Sequence, residues 1–255
     1  MSTALSTDLR VVSLAERPDL AEAMLTMEAT WPAYIRPEPV LIDWAFERHA
    51  AYQLVVLNDS DGSADRVIAR AASVPFAWDG DLNSLPDTGW DEVLRQSMGD
   101  TYAGRELNAV CALEIAVVPG QLAKNLSGRI LAALNANARR FGHTDVMAPV
   151  RPSNKHAEPE VPIAEYAART RPDGLPTDAW LRVHVREGGQ IIKVCPVSMT
   201  IAGSLAQWRG WTGLPFDTTG PVTVPGALTP IEANVEHDRA VYIEPNVWIR
   251  HRLNK

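Results

Sequence analysis

The sequence predicts an α/β fold, a mixed central sheet flanked by helices. Residues 108–150 read as strand, turn, long amphipathic helix and strand, which makes a right-handed parallel crossover. Gln53–Leu57 and Arg66–Pro75 are apolar runs around the polar turn Asn58–Asp65, so they form an antiparallel pair. Gln190–Ile201 and Ala240–His251 read as two further strands, the second closing the sheet.

Taken in order, Leu9–Leu14 is the first strand, and Pro18–Trp31 is a helix with Leu20, Met24, Met27 and Trp31 on one face. Val40–His49 is a second short helix. The connection from Ala77 to Leu107 carries a helix at Trp90–Met98. The apolar run Asn108–Val118 suits a buried strand, and Pro119-Gly120 ends it. From Leu122 the period becomes helical: Leu122, Leu126, Ile130, Leu134, Ala138 and Phe141 make an apolar stripe, with Lys124, Asn125, Arg129, Asn135 and Arg139 off it. Gly142 sits at the C' position, and His143–Val150 is the fifth strand. His156–Thr177 is an insertion with a brief helix at Ile163–Ala168. Asp178–Glu187 is a helix stopped by Gly188-Gly189, and Ser204–Trp211 is a short one. Leu214–Glu232, with four prolines, reads as a long ordered loop.

Apolar residues are 46% and charged residues 22% of the 255, a globular composition, and the net charge of -7 gives no general attraction to nucleic acid or acidic membranes. The opening MSTALSTDLR has neither a long apolar segment nor a basic prelude, so the expectation is a cytoplasmic protein with no membrane partner. Cys111 and Cys195 lie in apolar strands and read as buried thiols. The six histidines are scattered without ligand spacing, so no metal site is expected.

The helix after Asn108–Val118 presents unpaired N–H groups beside a strand end, an arrangement that can hold a phosphate. Here the chain resembles the GNAT superfamily of N-acetyltransferases, whose central strand ends in V-x-P and is followed by [QR]-x-x-G-x-[GA] and a helix. Val117-Val118-Pro119 matches the strand end. Counting on, Leu122 replaces the Gln or Arg, Asn125 the first Gly and Ser127 the second, with Gly128 directly after; the loop is degenerate, but Asn and Ser are small. The resemblance implies a mixed, mostly antiparallel sheet whose two late strands pair across the excursion between them. It also implies a single domain over 1–255 with insertions near 77–107, 155–177 and 202–239. Acetyl-CoA or another acyl-CoA would be held by Val117, Leu122, Ala123, Lys124, Asn125, Leu126, Ser127 and Gly128, with Asn154 as a further contact.

Amide formation from a thioester needs a deprotonated amine and a proton for the departing sulfur. Glu114, a carboxylate in the apolar strand CALEIAVV, is the candidate base; the alternative is a carboxylate open to solvent or paired to an arginine. Aligning the stretch from Val183 to Gly189 with the family's late A-x-x-F-Y-x-x-x-G-F segment puts His184 where a tyrosine commonly protonates the thiolate, and Tyr166 is its rival. The implied function is acyl transfer, typically acetyl, to the amine of a small molecule. The insertions then define an acceptor cavity or a subunit interface, which leaves a homodimer open. The competing reading is a non-catalytic acyl-CoA-binding or interaction protein on the same fold.

Overall fold

The computed structural model describes residues 9–28, 31–36, 38–58, 66–119 and 126–253. Four residues of the expected cofactor loop, Leu122, Ala123, Lys124 and Asn125, lie outside them. The nine strands are β1 (Leu9–Ser13), β2 (Leu54–Asn58), β3 (Arg66–Phe76), β4 (Ala109–Val117), β5 (Asp145–Val150), β6 (Gly189–Gly203), β7 (Gly220–Val222), β8 (Ile231–Asn234) and β9 (Arg239–Arg252). They form one sheet in the order β1-β2-β3-β4-β5-β9-β8-β7, with β6 on the other edge of β9. Among the described residues only β4 and β5 run parallel, so the sheet is mixed and mostly antiparallel. The late strands β6 and β9 pair antiparallel over most of their length. The two strands absent from the sequence reading, β7 and β8, are cut from the proline-punctuated excursion, and Pro221 in β7 sits on a sheet edge, where a missing N–H is tolerated.

Among the described residues seven α-helices flank the sheet: α1 (Ala21–Thr26), α2 (Pro39–Arg48), α3 (Gly89–Tyr102), α4 (Leu126–Arg140), α5 (Ile163–Ala168), α6 (Ala179–Arg186) and α7 (Leu205–Thr212). The apolar stripe of α4 packs as its spacing dictates, with Leu126, Ile130, Leu134 and Ala138 buried beside Val110, Ala112 and Val146. Phe141 departs from the stripe: it follows the helix end, is 42% exposed and lies against Tyr52. The first helix is also shorter than expected. It stops at Thr26, leaving Met27 and Trp31 outside it, and Pro32 disfavours helical backbone at Trp31.

The sheet has two covered faces. On one, α4 and Leu181 of α6 pack against Val110, Ala112, Val146, Ala148 and Ile249; on the other, Val93 and Leu94 of α3 and Ala45 of α2 pack against Cys111, Leu113, Met147 and Trp248. A third cluster joins α7 to the far ends of β6 and β9 around the fully buried Trp208. The insertion and the excursion are stapled together by Lys155, which is fully buried and donates from Nζ to the carbonyls of Glu158 (2.7 Å) and Leu228 (2.7 Å). Among the described residues no helix is long and apolar enough to cross a membrane.

Candidate active site

The parallel crossover is also where the sheet opens. β4 and β5 are in register only at Val110–Val146 and Cys111–Met147, although β4 continues to Val117 and β5 to Val150. Beyond Cys111 no described strand pairs with the inner edge of β4, which leaves that edge open to an extended ligand. β5 instead follows β9 through all of its residues, which draws it away from β4.

A bulge in β4 decides which way its side chains point. In the pairing with β3, Ala72 faces Glu114 and Ser73 faces Ala112, so Leu113 is an extra residue. Strict alternation from Val110 would turn Glu114 toward α4. The bulge instead places both Leu113 and Glu114 on the α3 face, Glu114 sharing that face with its cross-strand partner Ala72. Trp90 of α3 covers the bulge, donating its indole N–H to the Leu113 carbonyl (3.0 Å).

Glu114 is paired to an arginine. Arg70 of β3 grips it in a two-point contact, Nε to Oε2 and Nη2 to Oε1, both 2.9 Å, and Arg70 is itself fixed to the Met24 carbonyl at 2.7 Å. The indole N–H of Trp31 adds a third donor at Oε1. Both oxygens are engaged, and the side chain is only 15% exposed. Trp31 spans the opening, because its other contact is the guanidinium of Arg151, 5.9 Å from the ring centroid and the first residue after β5.

Arg151 leads to a second carboxylate that the sequence reading did not select. Glu244 of β9 is fully buried, and its Oε2 accepts from Arg151 Nε (2.9 Å) and the Tyr242 hydroxyl (3.0 Å). The Tyr242 oxygen accepts in turn from the Leu228 N–H at 2.8 Å. Burial pushes the Glu244 carboxyl above its ordinary range, against the pull of Arg151. Burial likewise raises Tyr34, which packs edge-on to Tyr242, to about 12. One strand step on, buried Asn246 donates from Nδ2 to Pro149 O (3.1 Å) and Ser198 Oγ (3.0 Å), and Ser198 Oγ accepts from the Trp90 N–H. Gly89 permits this contact, since a Cβ there would lie 2.4 Å from Ser198 Oγ. A charged residue inside an apolar alternating strand was the signal that singled out Glu114, and the same signal is present at Arg70 and Glu244.

Beyond Trp90 on the same face lies a cavity of ≈ 180 Å³ lined by Arg36, Glu38, Trp90, Asp91, Arg95 and Met199, among others. Asp91 Oδ2 accepts from the Thr200 N–H (3.1 Å), and burial raises its carboxyl above the usual range. The cavity thus carries two carboxylates and two guanidiniums beside the bulge of β4.

His184 lies elsewhere. It is 2% exposed on the α4 face, wedged between Trp180 and His251, with Nδ1 2.9 Å from His251 Nε2. His251 sits opposite Val146, in the closed part of the crossover, whereas Glu114 is on the opposite face and, at about 3.3 Å per residue, well up the open part. Burial, aided by His251, lowers His184 to about 3, so it is neutral at physiological pH and lacks the imidazolium proton that an acid would give. The expected proton-donor role does not fit these surroundings. The close approach that makes the histidine pair requires Gly189, where a Cβ would meet the His184 carbonyl at 2.7 Å and His251 Cε1 at 2.8 Å. Tyr166, its rival, is also buried and donates to Asp178 Oδ2 (3.0 Å), away from the opening.

Of the expected cofactor contacts, Val117 ends β4 at the opening, and Leu126, Ser127 and Gly128 are the first described residues of α4, with Leu126 and Gly128 buried. Asn154 is exposed and keeps its backbone N–H on Asp178 Oδ2 (2.9 Å). Cys111 and Cys195 are free buried thiols; burial raises both, Cys195 to about 12, so neither supplies a thiolate.

No family model matches the chain. Among solved structures, the loading GNATL domain of CurA from Lyngbya majuscula superposes with a TM-score of 0.60 at 15% identity, covering 96% of each chain. The GphF GNAT-like decarboxylase in complex with isobutyryl-CoA superposes with a TM-score of 0.56 at 14% identity, covering 96% of this chain and 99% of that one. Sheet order, crossover and open β4 edge are those of a GNAT fold. The arginine N-acetyltransferase avaD of Aspergillus versicolor is 32% identical over 94% of this chain and 92% of its own length. The chain belongs to the GNAT superfamily of N-acetyltransferases, which draw their acyl group from acyl-CoA.

Proposed function

We propose that the protein transfers an acyl group, typically acetyl, from acyl-CoA to a nitrogen of arginine or of a small molecule that carries an arginine-like group. The observation that carries this reading is the cavity beside the β4 bulge. Glu38 and Asp91 suit a cationic end, while Arg36 and Arg95 suit a carboxylate, the two charges that an amino acid of arginine type presents. The avaD relative, named for acetylating arginine, supports the same choice.

In this reading the two faces of the open edge divide the work. The pantetheine arm lies along β4 beyond Cys111, and the pyrophosphate meets the N-terminal side of α4, where Ser127 and Gly128 are the described contacts. Asn154 borders the same side. The acceptor enters from the α3 face past Trp90 and Trp31. Glu114, with both oxygens held, positions Trp31 and Arg70 at the wall of the opening and is not the proton acceptor. The whole chain acts as one domain whose insertions shape the acceptor side, and the cytoplasm, where acyl-CoA is at hand, is its place of action.

The test is release of the CoA thiol from acetyl-CoA with arginine or its decarboxylated analogue as acceptor. Transfer to arginine is expected, with Asp91→Asn raising KM for arginine by about tenfold and leaving acetyl-CoA affinity unchanged. Equal KM for wild type and Asp91→Asn contradicts the acceptor assignment.

A further inference from the structure

Two buried acceptor atoms near the opening stand without a partner among the described residues: Glu244 Oε1 and Asn246 Oδ1. They belong to residues two apart on β9, whose side chains share a face. Both are almost wholly enclosed, at 0% and 1% exposure. Their other atoms are anchored, Glu244 Oε2 by Arg151 and Tyr242 and Asn246 Nδ2 by Pro149 and Ser198, so neither free oxygen can rotate away without breaking two hydrogen bonds. A buried carboxylate oxygen with no donor is costly, and an adjacent pair of acceptors is matched by a molecule that donates twice. Water is such a molecule, and both of its lone pairs are then free to accept.

We propose that Glu244 Oε1 and Asn246 Oδ1 together hold a water that carries the acceptor's proton to Glu244, making Glu244 the proton acceptor of the transfer in place of Glu114. The inference rests on the functional reading above. Of the two carboxylates at the opening, Glu114 has three donors and no free oxygen, while Glu244 keeps one oxygen free and is linked through Arg151 and Trp31 to the wall of the opening. The groups facing Glu244 are Arg151 after β5, Tyr242 on its own strand, Tyr34 from the segment before α2 and Asp91 on α3. Burial outweighs the single cation among them, so its carboxyl sits nearer neutrality than an ordinary glutamate and is a better-matched base.

The protonated acceptor nitrogen gives one proton to the water, which passes one of its own to Glu244 Oε1. The nitrogen–carbon bond forms as the carbon–sulfur bond breaks, and the second nitrogen proton leaves with the sulfur as a thiol. Glu244 then returns its proton to solvent.

The test has a ligand-free arm and a kinetic arm. A crystal structure of the full chain at a resolution that orders buried solvent is expected to show one water within hydrogen-bond distance of both oxygens, and no water there overturns the proposal. In the pH profile of kcat/KM for acetyl transfer to arginine, Glu244→Gln is expected to lower the rate by about 100-fold near neutrality, with the deficit shrinking as pH rises and the free amine becomes abundant. Asn246→Ala is expected to lower kcat by about tenfold with little change in KM, and it serves if Glu244→Gln does not fold. A folded Glu244→Gln, or failing that Asn246→Ala, with wild-type rate and profile overturns the proposal. If the wild type transfers nothing to arginine while the water is present, it is the arginine reading that fails, and the water site stands.

Discussion

Two of the polar clusters buried against this sheet differ in what surrounds them. On the α4 face, His184 and His251 meet in the closed part of the crossover, enclosed by Trp180 and Gly189 and neutralised by burial. On the α3 face, Glu114, Arg70, Trp31, Arg151, Glu244 and Tyr242 run across the place where β4 and β5 part, with each carboxyl group paired to a guanidinium. A histidine is the residue better suited by intrinsic pKa to proton transfer at neutral pH. Its position removes that advantage, because the enclosing wall lowers its basicity and offers no route to a substrate. Position relative to the open strand edge therefore outranks residue type in choosing the chemistry.

The strongest way to break this contrast is to cut the cluster at its centre. Arg151→Met leaves Glu244 buried without its cation and Trp31 without its partner; a loss of about 3–5 kcal/mol in denaturant unfolding is expected, together with transfer too slow to measure. Thermal and urea unfolding alongside the thiol-release assay read both. A stable, active Arg151→Met variant would show the cluster to be incidental.

Cutting at the edge is expected to cost less. Glu114→Gln keeps an acceptor for Trp31 and Arg70 but loses the charge, so stability falls by about 1–3 kcal/mol and transfer by about tenfold at every pH. The uniform loss is the informative part, because a proton acceptor at this position would instead show a deficit that grows as pH falls.

The histidine pair is expected to matter for acid stability and not for transfer. Unfolded imidazoles take up protons below pH 6.5, while folded His184 and His251 resist protonation to about 3 and about 4. The unfolded state thus binds more protons in that window, and the stability present above pH 6.5 is lost progressively as pH falls toward 4. Replacing both by leucine is expected to flatten this slope, though His49, also lowered to about 4, preserves part of it. Transfer at alkaline pH is expected to change by no more than about twofold. Unfolding free energies measured across this range decide it, and an unaltered slope contradicts the assignment.

Much of the fold was legible because it rests on periodicity. The change of period before α4, the paired runs of β2 and β3, and the late strands β6 and β9 each follow from where apolar residues recur. The brief helix Ile163–Ala168 stands inside the broken insertion as expected, and the short helix expected over Ser204–Trp211 is α7, with Ser204 as its cap. The site was less legible, for reasons that are local. One extra residue at Leu113 reverses the face of Glu114, and no alternation count contains a bulge. Trp31 was assigned to a helix that ends at Thr26, so its place over the opening could not be seen. Arg151 and Glu244 are 93 residues apart in sequence, and only the β5–β9 pairing brings them together. β7 and β8 hid behind prolines that edge strands accept.

The central claim, that the open edge of β4 separates a donor side on the α4 face from an acceptor side on the α3 face, is most directly tested by a crystal structure of the protein with CoA and arginine bound together. The account predicts the pantetheine arm hydrogen-bonded to β4 beyond Cys111 and the arginine in the cavity between Asp91 and Arg95, on the far side of Trp90. Both ligands on one face, or arginine bound away from Asp91, would contradict it.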